Sequence, residues 1–184
     1  FPETLDDDLA WLLGFVIGDG CLARDGRAAL HVCLTPDTEE LVREKVGSVF
    51  RLEIADNAAP NTQKMRHGWV HSRMLVRFLT ESCGIDPAQK LGVPRKVFES
   101  PKHVVRSFLE GLWCADGYQP PHGAPYLTTV SPILAQEVAH LLHWIGDAAV
   151  IRCIPYRGYK RSSHTPVYRV EWHGEACRNR RVGT

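Results

Sequence analysis

The chain has 184 residues, 44% of them apolar, with 22 basic against 21 acidic side chains. That is enough for one medium domain or two small ones, and it excludes both a disordered polyelectrolyte and a binder working by bulk positive charge. Cysteines at 21, 33, 83, 114, 153 and 177 include no CxxC pair, so neither a zinc knuckle nor a disulfide scaffold is expected, and the expected setting is reduced and cytoplasmic.

The N-terminus, Phe1 to Asp8, is acidic and lacks the basic region of a signal peptide. A first residue of Phe rather than Met suggests a piece processed or excised from a longer chain. Asp6–Asp8 then place a cap and negative charge at a helix start. Leu9, Leu12, Leu13 and Val16 form the stripe of a first helix ending at Gly18-Asp19-Gly20, which interrupts the apolar run well short of a membrane span. Cys21–Ala23 and Ala28–Leu34 flank an Asp25-Gly26 turn, a hairpin signal, with Leu30, Val32 and Leu34 on one face and Ala29, His31 and Cys33 on the other. A helix over 37–50 follows, with Thr35-Pro36 as hydroxyl cap and first-turn proline. Two strands, Arg51–Asp56 and Lys64–Ser72, and a helix over Met74–Cys83 close the first half. The second half reads Val104–Ala115 as helix, Tyr126–Val130 as strand, and Ile133–Ile145 as a helix capped by Ser131-Pro132. Strands Ala149–Pro155 and Val167–His173 follow, and no closing helix is visible after them.

The halves echo each other. Leu12–Gly20 (LLGFVIGDG) and Leu109–Gly117 (LEGLWCADG) share one pattern: apolar, any, Gly, two apolar, any, small, Asp, Gly. Asp19 and Asp116 lie 97 residues apart, and the Thr-Pro and Ser-Pro signals follow them by 16 and 15 residues. A duplicated architecture is the economical explanation. Charge is segregated as well: residues 60–106 and 152–184 each carry a net +6, against −7 over 1–56 and four acids with no Lys or Arg over 107–151. Two basic blocks are suited to one electropositive face.

Gly14 and Gly18, like Gly111 and Ala115, are four apart, giving each motif helix a ridge of small residues along which two backbones can approach. Packed together, the two helices would bring Asp19 and Asp116 side by side at their C-terminal ends. Negative charge is disfavoured there unless a cation is present. Oxygen ligands of this kind suit Mg²⁺, and paired metals serve phosphodiester hydrolysis. The alternative is that each GDG or ADG is a helix C-cap with a left-handed glycine.

The two segments resemble the paired motifs of LAGLIDADG (DOD-type) homing endonucleases, a family found free-standing, in introns and inside inteins. The stretch from Lys90 through Pro94 to Gly117 is similar to the family's Lys-x-x-Pro lead-in and second motif. The resemblance covers roughly residues 8–175. It implies an α+β fold of two pseudo-two-fold αββαββ halves, here 1–103 and 104–184, whose sheets form a saddle on DNA. It further implies a metal-dependent endonuclease using Mg²⁺ (or Mn²⁺). Asp19 and Asp116 would be catalytic metal ligands, the carbonyls of Gly18 and Ala115 would assist them, and Lys90 would be a catalytic residue that stabilises charge or orders the attacking water. Ile17 and Cys114 stand where the family name has its first Asp. No second-half counterpart of Lys90 is visible, with Arg178, Arg180 and Arg181 as possible substitutes. Splicing residues are absent, and the chain is more like the endonuclease domain of an intein than a free-standing enzyme.

Candidate DNA contacts are Arg24, Arg27, Lys64 and Arg66 in the first half, and Tyr118, Arg152, Arg157, Lys160, Arg161 and Arg169 in the second. The expected partner is double-stranded DNA with a long, imperfectly palindromic site read by a monomer, without membrane association. The competing function is a catalytically inactive nucleic-acid binder on the same scaffold, either a maturase-like RNA splicing cofactor or a DNA-binding regulator. His140 and His143 share a helical face without a third ligand. Cys114 lacks a neighbouring base in sequence, and Trp11, Trp113 and Trp144 read as core aromatics.

Overall fold

The computed structural model describes residues 1–22, 28–56, 66–86, 92–155 and 166–174. Helix α1 spans Asp7–Asp19, and the carboxylate of Asp6 caps it by accepting from the Leu9 N–H at 2.9 Å. Every residue from Leu9 to Ile17 is buried, as expected of a helix apolar on all sides. The chain passes from Asp19 directly into strand β1 (Gly20–Leu22). Strands β2 (Ala29–Leu34), β3 (Ala55–Asp56) and β4 (Arg66–His71) complete an antiparallel sheet of order β1-β2-β4-β3. Leu22, Leu30, Val32, Leu34 and Val70 are buried on its inner face.

Helix α2 (Glu39–Phe50) buries Val42, Val46 and Phe50, a four-residue stripe. It starts later than the Thr-Pro signal predicts. Thr35 and Pro36 lie in a preceding turn, where the Thr35 carbonyl accepts from the N–H groups of Thr38 and Glu39. Thr38 occupies the cap position, but its hydroxyl lies 3.0 Å from that of Thr35 and makes no cap bond. At the other end Arg51 adopts a left-handed conformation with φ 54°, so the expected strand 51–56 shortens to Ala55–Asp56. Helix α3 (Arg73–Arg77), capped by the Ser72 hydroxyl on the Leu75 N–H at 3.1 Å, widens into a π-turn over Phe78–Ser82. After the short α4 (Arg95–Phe98) comes α5 (Lys102–Asp116), which buries Val104, Val105, Phe108, Leu109, Gly111 and Leu112.

Strands β5 (Gly117–Tyr118), β6 (Tyr126–Thr129), β7 (Ala148–Pro155) and β8 (Pro166–His173) form a second antiparallel sheet of order β5-β6-β8-β7. The strand order of the first sheet is thus repeated. Here the proline signal is realised as predicted: Ser131 accepts from the Leu134 N–H at 3.0 Å, Pro132 opens α6 (Pro132–Ile145), and Gly146 closes it at φ 102°. Leu134, Ala135, Val138, Leu141, Leu142 and Ile145 meet Leu127, Val170 and Trp172 in the core of this unit. Trp144 departs from its core assignment and is 52% exposed, because it lies in helical phase with the exposed Ile133 and His140. By packing, the chain divides into one unit of Phe1–Lys90 with Pro94–Ala115 and another of Leu91–Val93 with Asp116–Thr184. The motif helix α5 therefore packs, as far as Ala115, with the first half.

Candidate functional site

Within the first unit, α1 and α5 meet through reciprocal glycines. A methyl group on Gly14 would overlap the Phe108 carbonyl oxygen and stand 2.7 Å from the Leu112 nitrogen. One on Gly111 would overlap the Trp11 carbonyl oxygen and stand 2.7 Å from its carbonyl carbon. Real side chains do not come this close to backbone, so the small residues are required by the approach itself. Phe15 and Phe108, both fully buried, flank the seam.

Each helix ends on its motif acid, Asp19 in α1 and Asp116 in α5. Neither has a basic residue in its last turn to offset the negative end of the dipole. The C-cap alternative does not hold. Gly20 has φ −85° and is extended, and Gly117 is not among the positive-φ glycines of the described residues, which are Gly84, Gly123 and Gly146. Both helices run straight into strands. Gly20 is needed for a steric reason, since a methyl there would lie 2.6 Å from the Val16 carbonyl oxygen. Asp19 is half-buried and Asp116 is exposed. Burial, and secondarily the charge of Asp19, raises the half-buried Cys114 thiol above its ordinary range, which disfavours the thiolate.

The outer face of the second sheet gathers several of the expected contacts. Arg152 and Arg169 are cross-strand partners. The Arg169 guanidinium lies 4.0 Å over the Tyr126 ring, and its buried Nε has no hydrogen-bond partner. Tyr126 is in register with Tyr118, which is exposed, with ring centroids 5.3 Å apart. Glu171, opposite Tyr126, accepts from Arg152 Nε at 2.7 Å. That bond is the leading cause of the Glu171 carboxyl lying below its ordinary range. Strand alternation in the sequence places Glu171 on the polar face with Arg169, but Tyr126 joins them only through the register of β6 on β8.

Arg66 lies at the start of β4. It is in register with Leu34, in phase with Gly68 and Val70 on the inner face, and its Nη1 lies 3.3 Å from Glu39 on α2. Lys90, Arg24, Arg27, Lys64, Arg157, Lys160, Arg161, Arg178, Arg180 and Arg181 lie outside the described residues. His140 and His143 are exposed, and His143 Nε2 accepts from the Ala149 N–H at 3.3 Å.

Residues 103–180 match a family model described as a LAGLIDADG-like domain. That match covers the second half of the chain. Its fold is that of the homing endonuclease I-DmoI: a crystal structure of that protein in complex with DNA and Mn superposes with a TM-score of 0.62, covering 92% of this chain and 90% of that one at 16% identity. Full-length DUF199/WhiA from Thermatoga maritima superposes with a TM-score of 0.59 over 93% of this chain and 52% of its own, at 14% identity. These likenesses establish the fold alone. Among curated proteins, this chain is 40% identical to part of a DNA polymerase of Thermococcus kodakarensis, over 79% of this chain and 9% of the polymerase. It is 28% identical to part of an A-type ATP synthase protein of Pyrococcus abyssi, over 82% of this chain and 15% of the synthase protein. A segment of the replicative helicase DnaB of a Synechocystis strain matches at 27% over 88% of this chain and 20% of the helicase. The chain thus spans a fifth or less of these relatives. Among the described residues no helix is long and apolar enough to cross a membrane.

Proposed function

We propose that the chain is a site-specific double-strand DNA endonuclease that hydrolyses phosphodiester bonds with Mg²⁺ or Mn²⁺ held by Asp19 and Asp116. The glycine seam carries this reading. It draws together two duplicated helices, each ending on an acid and each continuing into a strand rather than a left-handed cap. Carboxylates beside the carbonyls of Gly18 and Ala115 make a hard, all-oxygen donor set that fits Mg²⁺ or Mn²⁺. A cation also supplies positive charge at helix ends whose last turns hold no basic residue. When bound, such an ion polarises phosphoryl oxygens and makes water a better nucleophile.

The chain's own residues then divide the work. Asp19 and Asp116 hold and orient, and Lys90 stabilises charge or orders the attacking water. Arg152 and Arg169, with Tyr118 near the backbone, position the duplex on the second sheet. Arg24, Arg27, Lys64, Arg157, Lys160 and Arg161 add phosphate neutralisation. Two sheets of one strand order in a single chain support a monomer reading a long, imperfectly palindromic site. One segment matched in an ATP synthase protein, a helicase and a polymerase supports an inserted element such as an intein, since those three names describe different activities.

The test is cleavage of a randomised linear duplex library in Mg²⁺, followed by sequencing of the new ends. Wild type should converge on one long site, and Asp19→Asn or Asp116→Asn should abolish the product. Normal cutting by either variant rejects the mechanism. Tight, specific DNA or intron-RNA binding with no cutting by wild type would instead favour the inactive-binder function.

A further inference from the structure

The outer face of the first sheet holds a cluster of a different chemical kind. His31 and Cys33 alternate along β2, and His67 on β4 is the cross-strand partner of Cys33. His67 Nδ1 lies 2.9 Å from His31 Nε2 and 3.8 Å from Cys33 Sγ. One donor atom from each of the three lies within 4.8 Å of the others, and all three residues are half-buried. The His31 ring stacks on that of His67 at 5.0 Å and is backed by Trp69 at 4.5 Å, which restricts its rotamers.

The geometry points to a soft-metal site here: a Zn²⁺ ion bound by His31 Nε2, Cys33 Sγ and His67 Nδ1, linking β2 to β4. Two groups now converge on one ring nitrogen, which has a single lone pair or a single proton to offer. An ion satisfies all three heteroatoms at once. Zn–N and Zn–S lengths of about 2.0–2.1 and 2.3 Å in a tetrahedron require roughly 3.4 Å between nitrogens and roughly 3.6 Å from nitrogen to sulfur. The observed 2.9 and 3.8 Å differ from those by about 0.5 and 0.2 Å, and the remaining His31–Cys33 pair lies within 4.8 Å. A donor set of two imidazoles and a thiolate selects Zn²⁺ over Mg²⁺, the opposite of the oxygen set at the helix ends. The fourth position is left for water or for Cys21, in register with His31 on β1. Binding converts the Cys33 thiol to thiolate and releases its proton to solvent. The site stands whether or not the chain cuts DNA.

The experiment uses the full chain, stripped with a chelator and held in excess Mg²⁺ so that oxygen sites are occupied. Co²⁺ is then titrated in while the thiolate-to-metal charge-transfer band is followed, and Zn²⁺ is added to displace it. A single equivalent should bind, Zn²⁺ should bleach the band, and Zn²⁺ should raise the Tm. Cys33→Ser, nearly isosteric, should remove the band from a protein that melts like the stripped wild type. His67→Gln should weaken Co²⁺ binding at least about tenfold, while Asp19→Asn should bind like wild type. Absence of a band in wild type, a band kept in Cys33→Ser, or one lost equally in Asp19→Asn would each overturn the assignment.

Discussion

The two sheets have the same strand order and the same inner chemistry, yet their outer faces are unlike. In the first, the outer face among described residues carries Cys21, His31, Cys33, His67, Trp69 and His71, with no Lys or Arg. In the second, it carries Tyr118, Tyr126, Arg152, Arg169 and Glu171. Inner faces are fixed by what must be buried, so Leu30, Val32 and Val70 in one sheet correspond in role to Leu127, Val170 and Trp172 in the other. Outer faces are released from that constraint and have taken separate chemistries: soft ligands in one, and stacked cations in the other.

The largest expected effect lies in what the outer faces do not touch. Gly111→Ala forces a methyl into the Trp11 backbone, which cannot move aside as a side chain can, and should cost about 3 kcal/mol or more in denaturant-measured stability. Gly47→Ala is the control, since its nearest contact would be at 4.0 Å. Equal melting of the two variants would mean that the seam is not the common framework. A second effect contrasts a buried thiol with exposed ones. Burial pushes Cys83 from an ordinary 9.0 up to about 11, against a smaller opposing influence of Lys96. Its folded pKa is raised, so its contribution is intact below pH 9 and is lost as the pH climbs from there towards about 11. Cys83→Ala should flatten that alkaline decline, and native alkylation should modify the exposed Cys21 and Cys153 long before Cys83.

A third test addresses the contrast between the faces directly. Arg169→Met should weaken binding to random duplex DNA about tenfold and reduce the magnitude of the salt slope by about 1. Trp69→Leu, on a face whose described residues include no Lys or Arg, should leave the slope unchanged. Equal slope changes, measured by fluorescence anisotropy at several salt concentrations, would erase the distinction.

The duplicated helices were legible in sequence because a backbone-to-backbone seam needs small residues at a fixed spacing, and Gly14 and Gly111 announce it. The paired sheets followed from the family resemblance. Local boundaries were less legible where one signal had two outcomes. Ser131-Pro132 caps α6 directly, whereas Thr35-Pro36 is displaced by the hydroxyl contact of Thr38. Nothing in sequence marks Arg51 as left-handed, because glycine is the usual occupant. Arg66 was readable from strand alternation, being in phase with Gly68 and Val70. The His31–Cys33–His67 cluster was not, since it depends on the register that sets Cys33 opposite a residue 34 positions away.

The smallest effect expected comes from the Arg152–Glu171 pair, which holds one of the second sheet's two outer cations against a carboxylate. The Arg152 hydrogen bond lowers the Glu171 pKa, partly opposed by burial and assisted by His173. A lowered carboxylate contributes stability that is present above its ordinary value of 4.5 and disappears as the pH falls through the folded value. Because the Arg152 side chain is 59% exposed, solvent screens most of this, and the acid limb of the stability curve should move only slightly in Glu171→Gln. DNA affinity is the more sensitive readout. Without the carboxylate, Arg152 is available to a phosphate, so Glu171→Gln should bind random duplex more tightly than wild type and steepen the salt slope by no more than about 1. Weaker binding by this variant would mean that Glu171 positions Arg152 for DNA instead of competing with it.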